Sequence, residues 1–275
     1  TGNRVMTSPD GTTWTARTSV ADNTWNSVLW VPELSTLVAV ASTGTNNRAM
    51  TSTDGISWES PYSWTTQTTP ADNNWTSVEW SSSLSLFVAV SSSGTGNRVM
   101  TSPDGITWTI RTSAADYSWS SVAWNSLISL FVAVSTDGIG DRVMTSSNGT
   151  TWALNNIPNW TIRTSAVDNN WTGIAWSSSL NLFVAVASSG SGNRVMTSPD
   201  AVTWTSRTSA ADNNWTSIAW APSIPKFVAV ANSGTSSART MESANGTSWT
   251  VATNTINGTA LTSRTSAADI FWRSI

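Results

Sequence analysis

Between Trp119 and Asp168 the chain reads W-S-S-V-A-W (Trp119–Trp124), L-F-V-A-V (Leu130–Val134), D-R-V-M-T-S (Asp141–Ser146), N-G-T-T-W (Asn148–Trp152) and I-R-T-S-A-V-D (Ile162–Asp168). These phrases mark out four short strands rich in Val, Phe, Thr and Trp, cut by Gly, Asn, Asp and Ser, the residues of turns. The same order recurs along the chain. The V/I-x-W element stands at Val28–Trp30, Val78–Trp80, Val122–Trp124, Ile174–Trp176 and Ile218–Trp220. The x-V-A-V element stands at Leu37–Val40, Phe87–Val90, Phe131–Val134, Phe183–Val186 and Phe227–Val230. An Arg leads the third strand at Arg4, Arg48, Arg98, Arg142, Arg194 and Arg239. Successive copies lie 44 to 57 residues apart, as from Arg4 to Arg48 and from Arg207 to Arg264.

Four strands per repeat of that length is the period of propeller blades. No segment carries the 3.6-residue apolar rhythm that a helical solenoid needs. The expected fold is therefore an all-β β-propeller of six four-stranded repeat units, five complete and one split between the termini. It would form a single domain over 1–275, or a segment of a longer repeat protein. Short and long copies alternate, giving three blade pairs. The long copies add Glu59–Ser63, Ala153–Asn159 and Val251–Ala260, expected as longer loops on one side of the disc.

The turn before each fourth strand reads S-P-D-G-T-T-W at Ser8–Trp14, S-T-D-G-I-S-W at Ser52–Trp58 and S-P-D-G-I-T-W at Ser102–Trp108. Later copies are S-S-N-G-T-T-W at Ser146–Trp152, S-P-D-A-V-T-W at Ser198–Trp204 and S-A-N-G-T-S-W at Ser243–Trp249. This series resembles the Asp-box (BNR) repeat of sialidases and many other propellers, whose pattern is S-x-D-x-G-x-T-W on the hairpin between the third and fourth strands. These copies are one residue shorter between Asp and Gly, and two carry Asn for Asp. The resemblance implies a propeller and is of non-sialidase type. The physics of the residues points the same way. Asp-Gly and Asn-Gly are turn dipeptides, and a short acceptor side chain can take N–H groups of its own turn. Asp10, Asp54, Asp104, Asn148, Asp200 and Asn245 are thus expected to build turns.

Composition narrows the function. Only 11% of residues are charged, the formal net charge is −3, and one lysine occurs, Lys226. That excludes a concentrated basic face for nucleic acid. Histidine and cysteine are absent, removing the commonest general base and thiolate chemistry. No run of 18 apolar residues offers a membrane span. A glycosidase needs two carboxylates across one bond. Glu59 and Glu79 stand outside the repeat, but nothing in the sequence brings them together. The chain reads as a non-enzyme without cofactor or metal.

Most of the basic residues repeat. Besides the Arg of the third strand, Arg17, Arg111, Arg163, Arg207 and Arg264 open R-T-S phrases, with Gln67 in the second copy. Five residues after each comes an acid, Asp22, Asp72, Asp116, Asp168, Asp212 and Asp269. An Arg–Asp pairing that fixes the crossover between blades is expected.

Trp occurs 19 times. Trp beside Asn is a sugar-stacking device, and tachylectin-like propellers offer the analogy of one sugar pocket per blade. Asn73, Trp75, Asn169, Trp171, Asn213 and Trp215 are the candidate glycan loops on that reading. The termini point elsewhere. The chain opens on third- and fourth-strand phrases and carries a first-strand phrase at Trp272–Ile275, so one blade lacks a second strand. Arg4, Val5, Met6, Phe271, Trp272 and Ile275 are then candidates for assembly, with a neighbour donating strands. The expected role is assembly or adhesion at an extracellular, cell or virion surface, with the chain itself as partner, as the protomer of a filament completed by strand donation. A lectin-like glycan binder, such as a phage receptor-binding module, is the alternative, and a glycoside hydrolase the remote one.

Overall fold

The computed structural model describes residues 4–9, 13–55, 65–150, 160–234, 238–251, 255–256 and 259–260. Two strands, β1 (Val5–Thr7) and β2 (Thr15–Arg17), form an antiparallel pair. Five four-stranded antiparallel sheets follow. The first holds β3 (Trp25–Val31), β4 (Thr36–Ala41), β5 (Ala49–Ser52) and β6 (Thr65–Gln67). The second holds β7 (Trp75–Ser81), β8 (Leu86–Ser91), β9 (Val99–Ser102) and β10 (Thr109–Arg111). The third holds β11 (Trp119–Asn125), β12 (Leu130–Ser135), β13 (Val143–Ser146) and β14 (Trp160–Arg163). The fourth holds β15 (Trp171–Ser177), β16 (Leu182–Ala187), β17 (Val195–Ser198) and β18 (Thr205–Arg207). The fifth holds β19 (Trp215–Ala221), β20 (Lys226–Ala231), β21 (Thr240–Ser243) and β22 (Thr250–Val251). A short hairpin of β23 (Thr255–Ile256) and β24 (Thr259–Ala260) lies in the third inserted segment. The other two inserted segments, Glu59–Ser63 and Ala153–Asn159, lie outside the described residues.

Within each sheet every strand pairs with its sequence neighbour. First strands contact one another in chain order, β3 with β7, then β11, β15 and β19. They form the inner wall of the array.

Alternation along the second strand explains how the sheets stack. In β8, Phe87 and Ala89 pack against Val38 and Val40 of the sheet before. Val88 and Val90 point the other way, into a cluster with Trp119, Val122, Phe131 and Ala133 of the sheet after. Both faces are buried, so the strand reads as a continuous apolar run. The same arrangement joins the third sheet to the fourth and the fourth to the fifth.

A bulge after each first-strand Trp adds a polar staple. The register shifts between Trp75 and Ser77, and again between Trp119 and Ser121 and between Trp171 and Gly173. The extra residue lets its side chain leave the ladder. The Thr76 hydroxyl donates to Trp119 O of the next sheet at 2.8 Å, shared with Val90 O at 3.1 Å. Ser120 reaches Trp171 O at 2.6 Å, and Thr172 reaches Trp215 O at 2.7 Å. Asn26 does the same with its amide, to Trp75 O at 2.7 Å.

Among the described residues the stacking is interrupted at Val28. Val28 is 58% exposed, whereas its equivalents Val78, Val122, Ile174 and Ile218 are at most 6% exposed. Trp30 beside it is 46% exposed. On the far flank, Val228 and Val230 of β20 are half-buried where Val88, Val90, Val132 and Val134 are fully buried. Among the described residues β1 pairs only with β2, and Val5 of that pair packs on the Ala39–Met50 cluster of the first sheet. The five complete units match the expectation from the repeat, and the split unit is represented by this outer pair.

Candidate functional site

The turn residues do what their chemistry suggests. Asp104 Oδ1 accepts from Ile106 N at 2.8 Å, Thr107 N at 2.7 Å and the Ser102 hydroxyl at 2.9 Å. Asp200 accepts from Val202 N, Thr203 N and Ser198 in the same way. Asn245 accepts from Thr247 N and Ser248 N, and Asn148 from Thr150 N. Ser52 donates to Asp54 at 3.4 Å. Desolvation pushes the Asp104 and Asp200 carboxyls up, but the turn N–H groups and the serine hydroxyls outweigh it and hold both below the usual range. Behind three of these turns an indole N–H closes the loop, from Trp108 to Gly105 O at 2.9 Å, Trp204 to Ala201 O at 3.3 Å and Trp249 to Gly246 O at 3.0 Å. Asp10 lies outside the described residues.

The Arg–Asp pairing joins the third-strand Arg to the crossover Asp. Arg48–Asp72, Arg98–Asp116 and Arg194–Asp212 each measure 3.7 Å, and Arg142–Asp168 3.8 Å. The shorter bonds are to backbone: Asp116 accepts from Gly96 N at 2.7 Å, and Arg98 donates to Gly94 O at 2.8 Å. Arg142 Nη1 donates to Asn169 O of the crossover at 2.8 Å. The R-T-S arginines have another role, Arg111 and Arg207 each donating to a third-strand Thr hydroxyl at 2.9 Å. Gln67 makes the same bond to Thr51 at 3.0 Å.

The Asn–Trp loops are placed differently from the glycan reading. Trp75, Trp171 and Trp215 have no exposed surface, and Asn73, Asn169 and Asn213 are 7–8% exposed. Asn73 Nδ2 donates to Asn97 O at 2.8 Å, Asn169 Nδ2 to Asn193 O at 2.9 Å and Asn213 Nδ2 to Ala238 O at 2.6 Å. The indole N–H groups are turned inward, Trp75 to Ala71 O, Trp171 to Val167 O and Trp215 to Ala211 O. A ring with both faces in protein offers nothing for a sugar to stack on, so these residues are corrected from glycan platforms to core and crossover residues.

Of the terminal candidates, Arg4 is exposed and pairs with Asp22 at 2.6 Å, and Val5 packs on the Ala39–Met50 cluster. Met6 pairs with Ala16 in the β1–β2 ladder. Phe271, Trp272 and Ile275 lie outside the described residues, as does Glu59.

What the sequence did not mark as a site is the centre of the array. The first strands enclose a cavity of about 400 Å³. Its wall carries Ser27, Ser77, Ser121 and Ser217, the aliphatic Val28, Val78, Val122, Ile174 and Ile218, and the indoles of Trp124, Trp176 and Trp220. One acid stands among them, Glu79. At its repeat position the other sheets carry Leu29, Ala123, Ala175 and Ala219. Burial pushes the Glu79 carboxyl up to about 7, against a lowering bond from Trp80 N at 3.2 Å. A sequence signal existed, the single charged residue at an otherwise uncharged repeat position, but only the array shows that this position faces a cavity.

No family model matches the chain, and no curated protein does. Solved structures do. A chain of a nidogen/laminin complex aligns with a TM-score of 0.58 at 7% identity, over 83% of this chain and 79% of that one. A chain of a mitotic checkpoint complex aligns with a TM-score of 0.59 at 14% identity, over 90% of this chain and 71% of that one. The array is propeller-like in fold. At these identities the likeness concerns the fold alone.

Proposed function

We propose that this chain is a non-catalytic interaction propeller whose uncovered flank is completed by a second copy of the chain. One observation carries the proposal: Val28 is 58% exposed at a position that is sealed in the four following sheets, and Trp30 beside it is 46% exposed. Apolar side chains left exposed on a strand face that is covered in the other sheets mark a docking surface. The occupant follows from the repeat. Residues 264–275 restate the crossover and first-strand phrase of residues 207–218, with Trp272 and Ile275 in the places of Trp215 and Ile218. A first strand of this kind covers the Val28 position in every other sheet.

Exposed Leu34, Leu84, Leu127, Ile128 and Leu180 add an apolar rim at the hairpins joining first to second strands, which supports a protein partner. A non-catalytic reading is supported by the cavity wall, where Glu79 faces no second carboxylate among the described lining residues. Kinship with Asp-box propellers, a surface location and growth into filaments belong to this proposal as its finer form.

Light scattering and negative-stain microscopy of the full chain test it. Assemblies heavier than the 29.2 kDa protomer, shifted to protomers by Trp30→Glu with the strand signal in circular dichroism retained, are the expected result. A protomer at every concentration up to the millimolar range overturns it.

A further inference from the structure

We propose that the central cavity binds an organic ammonium head between the Glu79 carboxylate and the indole of Trp124, with Trp176 and Trp220 completing the wall. Its charged and aromatic groups, Glu79, Trp124, Trp176 and Trp220, are not those of the flank proposed for assembly, although Val28 of that flank also lines the cavity.

The geometry starts from a fixed contact. Val122 N donates to the Ser77 hydroxyl at 3.3 Å, which sets the level of β7 against β11. Side chains alternate along a strand, so Glu79 shares the face of Ser77, and Trp124 shares the face of Val122. Glu79 and Trp124 therefore stand at the next level of the same seam, and both line the cavity. Trp124 is held there by Phe131, with ring centroids 4.5 Å apart.

The carboxylate is incompletely used. It accepts one N–H, from Trp80, and no cationic side chain lines the cavity among the described residues. Strands β3, β11, β15 and β19 present to it only aliphatic, Ser and Trp side chains, and its cross-strand neighbour on β8 is Val88. A half-buried acid facing indoles, with no cationic side chain among the described lining residues, suits a cation. The ring face attracts positive charge, and a carboxylate in low dielectric holds it more tightly than one in water. An alkylammonium supplies the charge, N–H donors for the carboxylate and a carbon stem for Val78, Val122 and Ile174. A free amine and a lysine side chain share that chemistry.

Titration of the full chain with butylammonium, followed by tryptophan fluorescence and calorimetry, tests the proposal, with butanol as neutral control. Butylammonium is expected to bind at least tenfold more tightly than butanol. Glu79→Gln should abolish that preference, and Glu79→Leu, which copies Leu29, serves if the amide variant does not fold. Because a proton competes for the carboxylate, affinity should fall as pH drops from 8 to 5. Nα-acetyl-lysine amide distinguishes the sources: equal binding assigns a lysine side chain, and exclusion assigns a free amine. Equal binding of butanol and butylammonium, or unchanged binding in Glu79→Gln, overturns the proposal.

Discussion

Asp104 and Glu79 are two acids of one sheet in opposite situations. Asp104 is stabilised in its charged form by the N–H groups of its own turn. A carboxyl held low contributes stability that is present above its unfolded value, about 3.9, and is lost as pH falls through the folded value. Asn245 builds the same turn without charge. Asp104→Asn is therefore expected to cost under about 1 kcal/mol at pH 7 and to flatten the acid limb of the stability profile, whereas Asp104→Ala should cost about 1–2 kcal/mol. Thermal melts from pH 2 to 7 check both. Glu79 runs the other way. Its folded form holds the proton to about pH 7, while the unfolded chain releases it near 4.3. Stability should fall as pH rises between those values and level off above, by about 4 kcal/mol in all. Denaturant melts of Glu79→Gln should lack that slope and show the variant to be the more stable protein at pH 8.

Among the elements, the first strand does three tasks at once. Its bulge releases a hydroxyl to the next sheet, its aliphatic residue seals the seam, and its next position faces the cavity. Replacing Thr76 by Val keeps the shape but leaves Trp119 O without its donor, and the expected loss is about 1–3 kcal/mol. Thr216, whose hydroxyl donates within its own sheet to Val230 O at 3.2 Å, should lose less in the same substitution. Guanidinium melts of the two variants make the comparison. Gly173 is a departure from the Ser of the other first strands with a visible cause. A Cβ there would sit 3.2 Å from Ile218 N and from Ser217 Cα, closer than ordinary packing, so β15 and β19 approach through the glycine. Gly173→Ser is expected to destabilise the chain, measured in the same melts.

On the scale of the whole molecule, stability and assembly share one surface. Each internal seam buries an x-V-A-V strand on both faces, and Phe87→Ala should cost about 3–5 kcal/mol. Among the described residues the seam at Val28 lacks that cover. Val28→Glu should leave the melting temperature within a few degrees while reducing sedimentation to the protomer, because an exposed site tolerates charge and an interface does not.

The repeat of Trp, x-V-A-V, Arg and Asp/Asn-Gly phrases determined the all-β class, the strand count per unit and the roles of Asp104, Asp200 and Asn245. Those features are local: period-two alternation and turn chemistry act within a few residues of each other. The crossover Arg–Asp partnership was legible as a pattern, but its members were settled by tertiary structure, since two arginine sets stood equally ready in the sequence. The Asn–Trp phrases were misread as sugar platforms because whether an indole faces solvent depends on the sheet stacked against it. Val78 and Val28 hold the same place in the repeat, yet one is sealed by a neighbouring sheet and the other is 58% exposed. Only the tertiary structure decided that Glu79 faces a cavity and that Val28 faces none of the described sheets, because exposure is a property of what lies opposite a residue, and the chain alone does not say what that is.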